Sequence, residues 1–301
     1  MIAASWLWVV FTVLAAAGQT ARNAMQRELT AALGTVGATH VRFLFGFPFA
    51  LLFLAGVLIA TGSPLPQPRL VFIPWVLVGA LAQILATALM LAAMNDRSFV
   101  VTIAYIKTEA VQAALFGLIF LGDPLTVGMI IAIVVATAGV VMMSFKSAGD
   151  AVQGGLRPTA LGLAAGAMFA LSATGYRGAI LSLEHPNFVV AATFTVTVGL
   201  VLQAALLTLY LALRDRAVLG AIARAWKPSL FAGFMGATAS EFWFLAFALT
   251  SVANVRTLAL IEVLFAQGIS FFLLRQATTR RDALGMSLIV AGVALLIWVQ
   301  R

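Results

Sequence analysis

Glu109 and Glu262 each stand inside a long apolar run, 153 positions apart. A carboxylate in hydrocarbon costs roughly 2.5–3.5 kcal/mol on insertion scales, so each needs a cavity, a ligand or a counter-charge. Glu241 and Lys107 are in the same situation. Lys107 precedes Glu109 by two residues, which sets the two about 200° apart around a helix and keeps them from pairing on one face. Its counter-charge is therefore expected on another element, at Glu262 or Glu241. Such a couple could hold the carboxylate and ammonium of an amino acid, or could be an ion pair that ties helices together.

Further polar and aromatic side chains accompany these charges. Tyr105 and Trp243 flank them and offer faces for an apolar, aromatic or cationic substrate. Gln19, Asn23 and Tyr176 lie beside Arg22 and Arg177, which occupy like positions near the ends of two apolar runs and are expected to snorkel to the interface. His40 and Arg42 could line a vestibule, although a lone His is more often hydrogen-bonded structure than a proton relay. The candidate substrate-binding set is thus Gln19, Asn23, His40, Tyr105, Lys107, Glu109, Tyr176, Glu241, Trp243 and Glu262. Gly162 and Gly166 have the spacing of close helix packing.

The 153-residue offset relates more than the two acids. It matches Ser98 with Ser251, Ala113 with Ala266, Thr126 with Thr279, and Ala138-Gly139-Val140 with Ala291-Gly292-Val293. It also superimposes two apolar spans and the polar break between them. An internal repeat with an acid at the same place in each copy is a pattern of secondary transporters.

The elements that must position these residues are membrane helices. The chain is 63% hydrophobic and 9% charged, with a mean hydropathy of +1.08, far from a soluble composition. Apolar runs fall at 4–21, 35–60, 71–94, 98–121, 124–145, 158–183, 187–213, 228–251, 253–275 and 281–299. They are continuously apolar rather than alternating, which argues for helices and against barrel strands. The N-terminal run ends in Ala15-Ala16-Ala17-Gly18, as a signal peptide can, but it lacks a basic start and carries Trp6 and Trp8, so a retained first span is expected. The expected class is an all-α integral membrane protein whose ten transmembrane helices surround a central cavity.

The connection Lys146 to Arg157 divides the chain into residues 1–150 and 151–301. Five spans per half forces the copies into opposite orientations, an inverted repeat. Outside the spans, twelve Lys and Arg fall on the side of that connection and two on the side of both termini. The positive-inside rule then puts both termini outside the cytoplasm.

A net charge of +8 carried in short loops points to anionic lipid rather than nucleic acid. Cysteine is absent, which removes thiolate metal sites and cysteine nucleophiles. No P-loop, metal spacing or G-x-S-x-G motif occurs, so no cofactor is expected, no enzyme activity is expected, and ATP is not a direct energy source.

The first half reads Lys107-Thr108-Glu109-Ala110-Val111, then Leu121-Gly122-Asp123, then Ala138-Gly139-Val140; the second reads Ile261-Glu262-Val263-Leu264, then Arg275-Gln276, then Ala291-Gly292-Val293-Ala294-Leu295. With these motifs the chain resembles the EamA-type members of the drug/metabolite transporter superfamily. Ala110 and Val263 stand where many members have Pro, and the second Leu-Gly-acid turn is missing. The resemblance implies a basket of helices around a cavity and carriage of a small metabolite, with aromatic amino-acid exporters the first branch for comparison.

The expected function is therefore secondary transport of a small molecule across the inner membrane, with export of aromatic or hydrophobic amino acids first. The partners are that substrate, the bilayer and candidate coupling protons, and the chain is a monomer or homodimer. The alternatives are carriage of other amines, nucleosides or drugs in either direction, an integral-membrane enzyme acting on a lipid, and a channel. Two His and scattered acids suit the enzyme poorly, and no filter-like ring of residues suits the channel.

Overall fold

The computed structural model describes residues 6–96, 105–144, 156–272 and 279–300. Within its helices the side chains of 23–28, 31, 94–96, 144, 156–158, 266 and 269–272, Asn23 among them, lie outside the description. The regular elements among the described residues are all helical. Long runs of Leu, Val, Ala and Phe without alternation leave no polar face for a sheet, and a helix pairs its backbone groups within the segment, as an apolar medium requires.

In chain order the helices are α1 (Leu7–Leu44), α2 (Phe47–Thr61), α3 (Phe72–Asp96), α4 (Glu109–Phe116), α5 (Val127–Ser144), α6 (Leu156–Ser182), α7 (Phe188–Arg214), α8 (Arg216–Arg224), α9 (Trp226–Leu249), α10 (Val252–Leu258), α11 (Glu262–Phe272) and α12 (Arg280–Val299). Six stretches among the described residues are long and apolar enough to cross a membrane: Ala32–Thr61, Phe72–Ala93, Thr159–Ser182, Phe188–Arg214, Trp226–Leu249 and Arg280–Val299. Leu7–Arg22 and Val127–Met143 are shorter apolar helices. These suit a multi-pass membrane protein. So does the outward apolar surface, with Leu52 at 66% and Ile59 at 84% exposure on α2.

Local structure departs from the apolar runs in three places. The first two expected spans meet inside α1 without a loop, because Gly34 adopts φ 68° and ψ 176°, a conformation that L side chains avoid. The runs at 98–121 and 253–275 are not single helices among the described residues. One turns at Thr108 before α4 and passes through a π-helical turn, Gly117–Leu121. The other passes from α10 through a 3₁₀ turn, Ala259–Ile261, into α11. The connection from Arg214 to Lys227 holds α8, too short to register as a span.

The chain forms two compact units, one from residues 1–84 and 175–250, the other from 85–174 and 251–301. Each draws on both sides of the Lys146–Arg157 connection. In the first unit α1 packs along α9, and α7 packs against α1, α2 and α9. Small residues permit the approach: a Cβ at Gly18 would lie 3.2 Å from the Ala239 Cβ, and one at Gly79 would lie 2.8 Å from the Tyr176 ring.

In the second unit α5 packs on α12 through Gly139 and Gly292. A Cβ at Gly139 would lie 2.6 Å from the Gly285 carbonyl and 2.9 Å from Ile289. One at Gly292 would lie 2.8 Å from the Ala132 carbonyl and 2.7 Å from Ala136. Shifting Gly285 and Ile289 by 153 positions gives Ala132 and Ala136, so the two sets of contacts interchange under the offset seen in the sequence. Gly162 and Gly166 also make close approaches here, to Tyr105 and to the Ile106 carbonyl.

Candidate functional site

The second unit gathers four buried charges around two tightened helical turns. Thr108 Oγ1 donates to the Tyr105 carbonyl at 2.6 Å, closing the turn that ends the preceding helical residues. Glu109 then opens α4, and Glu262 opens α11 after its 3₁₀ turn. The backbone stays in the right-handed helical region through both turns, and the Glu262 N–H is bonded within its own turn. Arg256 sits in α10, ahead of that turn.

Lys107 Nζ donates to Glu262 Oε2 at 2.6 Å, and the Arg256 guanidinium lies 3.6 Å from Glu109 Oε1. Exposure of the four residues is 3–7%. Each acid is thus neutralised by a cation from the other half of the sequence, and two positive and two negative charges leave the cluster neutral. The partners differ in intimacy. Lys107 and Glu262 share a short charge-assisted hydrogen bond, whereas Arg256 is beyond hydrogen-bond length from Glu109 and is the only partner of that carboxylate among the described residues.

Tyr105 is half-buried against Gly162. Sequence reasoning missed Arg256 as a site residue, although it is an ionisable group inside an apolar run and met the criterion that selected Lys107.

The first unit holds polar side chains in smaller sets. Glu241 on α9 meets Thr193 on α7, with 2.5 Å between Oε1 and Oγ1. The Trp243 indole donates to Gln19 Oε1 at 3.1 Å. Tyr176 is fully buried, its ring 4.5 Å from that of Phe244 and its hydroxyl 3.5 Å from Gln83 Oε1. Gln203 Nε2 donates to the same Gln83 oxygen at 2.9 Å and to the Ala80 carbonyl at 3.1 Å. His40 is buried, with Nε2 3.1 Å from Thr208 Oγ1.

The expectation that Arg22 snorkels is corrected here. Arg22 is 3% exposed, and its stem lies with that of Arg42 against Gly236. Arg177 donates through one nitrogen to the carbonyls of Phe247 and Thr250 at 2.6 Å each, closing the C-terminal end of α9. The small size of Gly236 leaves room for the Arg22 stem inside the fold. Of the expected set, Lys107, Glu109, Glu262 and Tyr105 belong to the second unit, whereas Gln19, His40, Tyr176, Glu241 and Trp243 belong to the first.

No family model and no curated protein matches the chain. A solved crystal structure of a protein superposes with a TM-score of 0.71 over 99% of this chain and 97% of its own length, at 16% sequence identity. That likeness carries the fold alone.

Proposed function

We propose that this chain is a secondary transporter of the inner membrane that moves a small metabolite by alternating access, with amino acids as the first substrate class. In this reading ten helices form two inverted five-helix repeats, 1–150 and 151–301, of the EamA type. One observation carries it: Glu109 and Glu262, 153 positions apart, each follow a tightened turn within a helical run. Local departures from regular helix beside buried charge are a recurring feature of transporter sites. The interchangeable contacts of Gly139 and Gly292 support the same repeat independently of the acids.

The charge arrangement supports a zwitterionic substrate. Glu109 has Arg256 at 3.6 Å and no hydrogen-bond donor among the described residues, so its carboxylate retains capacity for an ammonium group. The Arg256 guanidinium beside it suits a carboxylate. An amino acid carries both groups and adds no net charge to a neutral cluster.

Orientation follows from the loops. With Arg22 inside the fold, eleven Lys and Arg remain on the side of the 146–157 connection against two on the side of the termini, which favours termini outside the cytoplasm.

Counterflow in proteoliposomes tests the function. Vesicles loaded with unlabelled aromatic or aliphatic amino acids are expected to take up the labelled compound transiently, and Glu109→Gln to lose that uptake for amino acids. Absence of counterflow for every amino acid in a panel, with the protein folded, overturns the reading.

A further inference from the structure

Thr193 Oγ1 lies 2.8 Å from the Val189 carbonyl and 2.5 Å from Glu241 Oε1. A hydroxyl has one hydrogen to give. If Glu241 were a carboxylate, both neighbours of Thr193 would be acceptors, and one of the two short oxygen contacts would hold no hydrogen. If Glu241 is a carboxylic acid, the chain closes: the Glu241 O–H donates to Thr193, and Thr193 donates to Val189.

The second oxygen points the same way. Glu241 Oε2 is buried and has no hydrogen-bond partner among the described residues. A neutral carbonyl oxygen left unpaired costs far less than an unpaired anionic one.

No cation supplies the missing neutralisation among the described residues. The elements packed against α9 are α1, α2, α7 and α8, joined by the part of α6 that carries Tyr176 and Arg177. Their charged and titratable groups are Arg22, His40 and Arg42 on α1, Tyr210 and Arg214 on α7, Asp215 at the cap between α7 and α8, Arg216 and Arg224 on α8, and Tyr176 and Arg177; α9 itself adds Lys227, and α2 carries none. Arg27 and Glu28, also on α1, have side chains outside the description. None of the described groups pairs with Glu241, whose partner is Thr193.

We propose that Glu241 binds a proton in this conformation and is the group that carries the coupling proton through the transport cycle. The coupling clause rests on the transporter reading; the protonation clause does not. The ligand is the hydrogen ion itself, held as a carboxyl O–H by Thr193 and released when the site opens to water.

Infrared spectroscopy of the purified full chain near neutral pH tests the first clause. The carbonyl stretch of a protonated carboxylic acid is expected in the wild type, absent from Glu241→Gln, and shifted in Thr193→Val, which keeps the acid but removes its acceptor. A wild-type spectrum matching that of folded Glu241→Gln in this region overturns the proposal. In proteoliposomes, Glu241→Gln that melts like the wild type is expected to lose accumulation driven by a pH difference. Continued pH-driven accumulation by this variant overturns the coupling role. The infrared arm needs no transport, so its failure is distinguishable from failure of the transporter reading.

Discussion

Glu262 in the second unit meets an ammonium at 2.6 Å, whereas Glu241 in the first meets, among the described residues, a hydroxyl alone, at 2.5 Å. Both sit on apolar helices, and they differ in what neutralises them. An ion pair keeps its charges fixed and lets partners be exchanged, so Lys107, Glu109, Arg256 and Glu262 suit a substrate that brings one charge of each sign. A carboxyl held by a hydroxyl has no counter-ion and is neutralised by a proton. One unit is therefore arranged around paired charge and the other around hydrogen bonds, with Trp243–Gln19 and Tyr176–Gln83–Gln203 extending the second pattern.

The strongest way to break this contrast is to remove one member of the tight pair. Lys107→Met strands the Glu262 charge and is expected to cost about 3–5 kcal/mol, read as a large fall in melting temperature in detergent. The double variant Lys107→Met with Glu262→Leu should recover most of that loss, since a buried pair replaced by apolar groups is often neutral. Strictly additive losses would show that the two residues are not coupled.

Packing in the second unit offers the next test. Gly292→Ala puts a methyl 2.7 Å from Ala136, and Gly139→Ala puts one 2.6 Å from the Gly285 carbonyl. Each is expected to cost about 1–3 kcal/mol, and by similar amounts, because the contacts are related by the repeat. Clearly unequal melting shifts would argue against that relation.

In the first unit the effects should be smaller. Thr193→Val removes one neutral hydrogen bond to Glu241 and is expected to cost about 1 kcal/mol in a denaturation series. A loss as large as that of Lys107→Met would mean that Glu241 is charged and was relying on the hydroxyl.

Arg69 and Glu184 give the smallest expected change. Their 2.8 Å pair matches the chemistry of Lys107–Glu262, but the side chains are 69% and 63% exposed. Arg69→Ala should shift stability by less than about 1 kcal/mol, and less again at high salt. An effect comparable with Lys107→Met would remove burial as the reason for the difference.

The membrane class was legible from composition alone, since no soluble core absorbs a chain that is 63% hydrophobic. Lys107 as a partner for Glu262 was also within reach, because a charge two residues from Glu109 had to look to another element. The offset between Gly139 and Gly292 was visible as three matched residues, although nothing in those letters said that the two helices touch.

Other features were decided by the tertiary structure. Arg256 is six residues before Glu262 yet lies by Glu109, because the 3₁₀ turn at Ala259–Ile261 separates it from its sequence neighbour and α10 packs on α4. Arg22 turned inward beside Gly236, and Arg177 met the carbonyls at the end of α9, neither of which any local pattern announces. Thr193 became the partner of Glu241 because α7 packs beside α9. Residue type and spacing determined which groups could not remain alone in hydrocarbon; only the packing of distant helices decided which group each one met, because the energy of a buried charge depends on neighbours that the chain brings in from elsewhere.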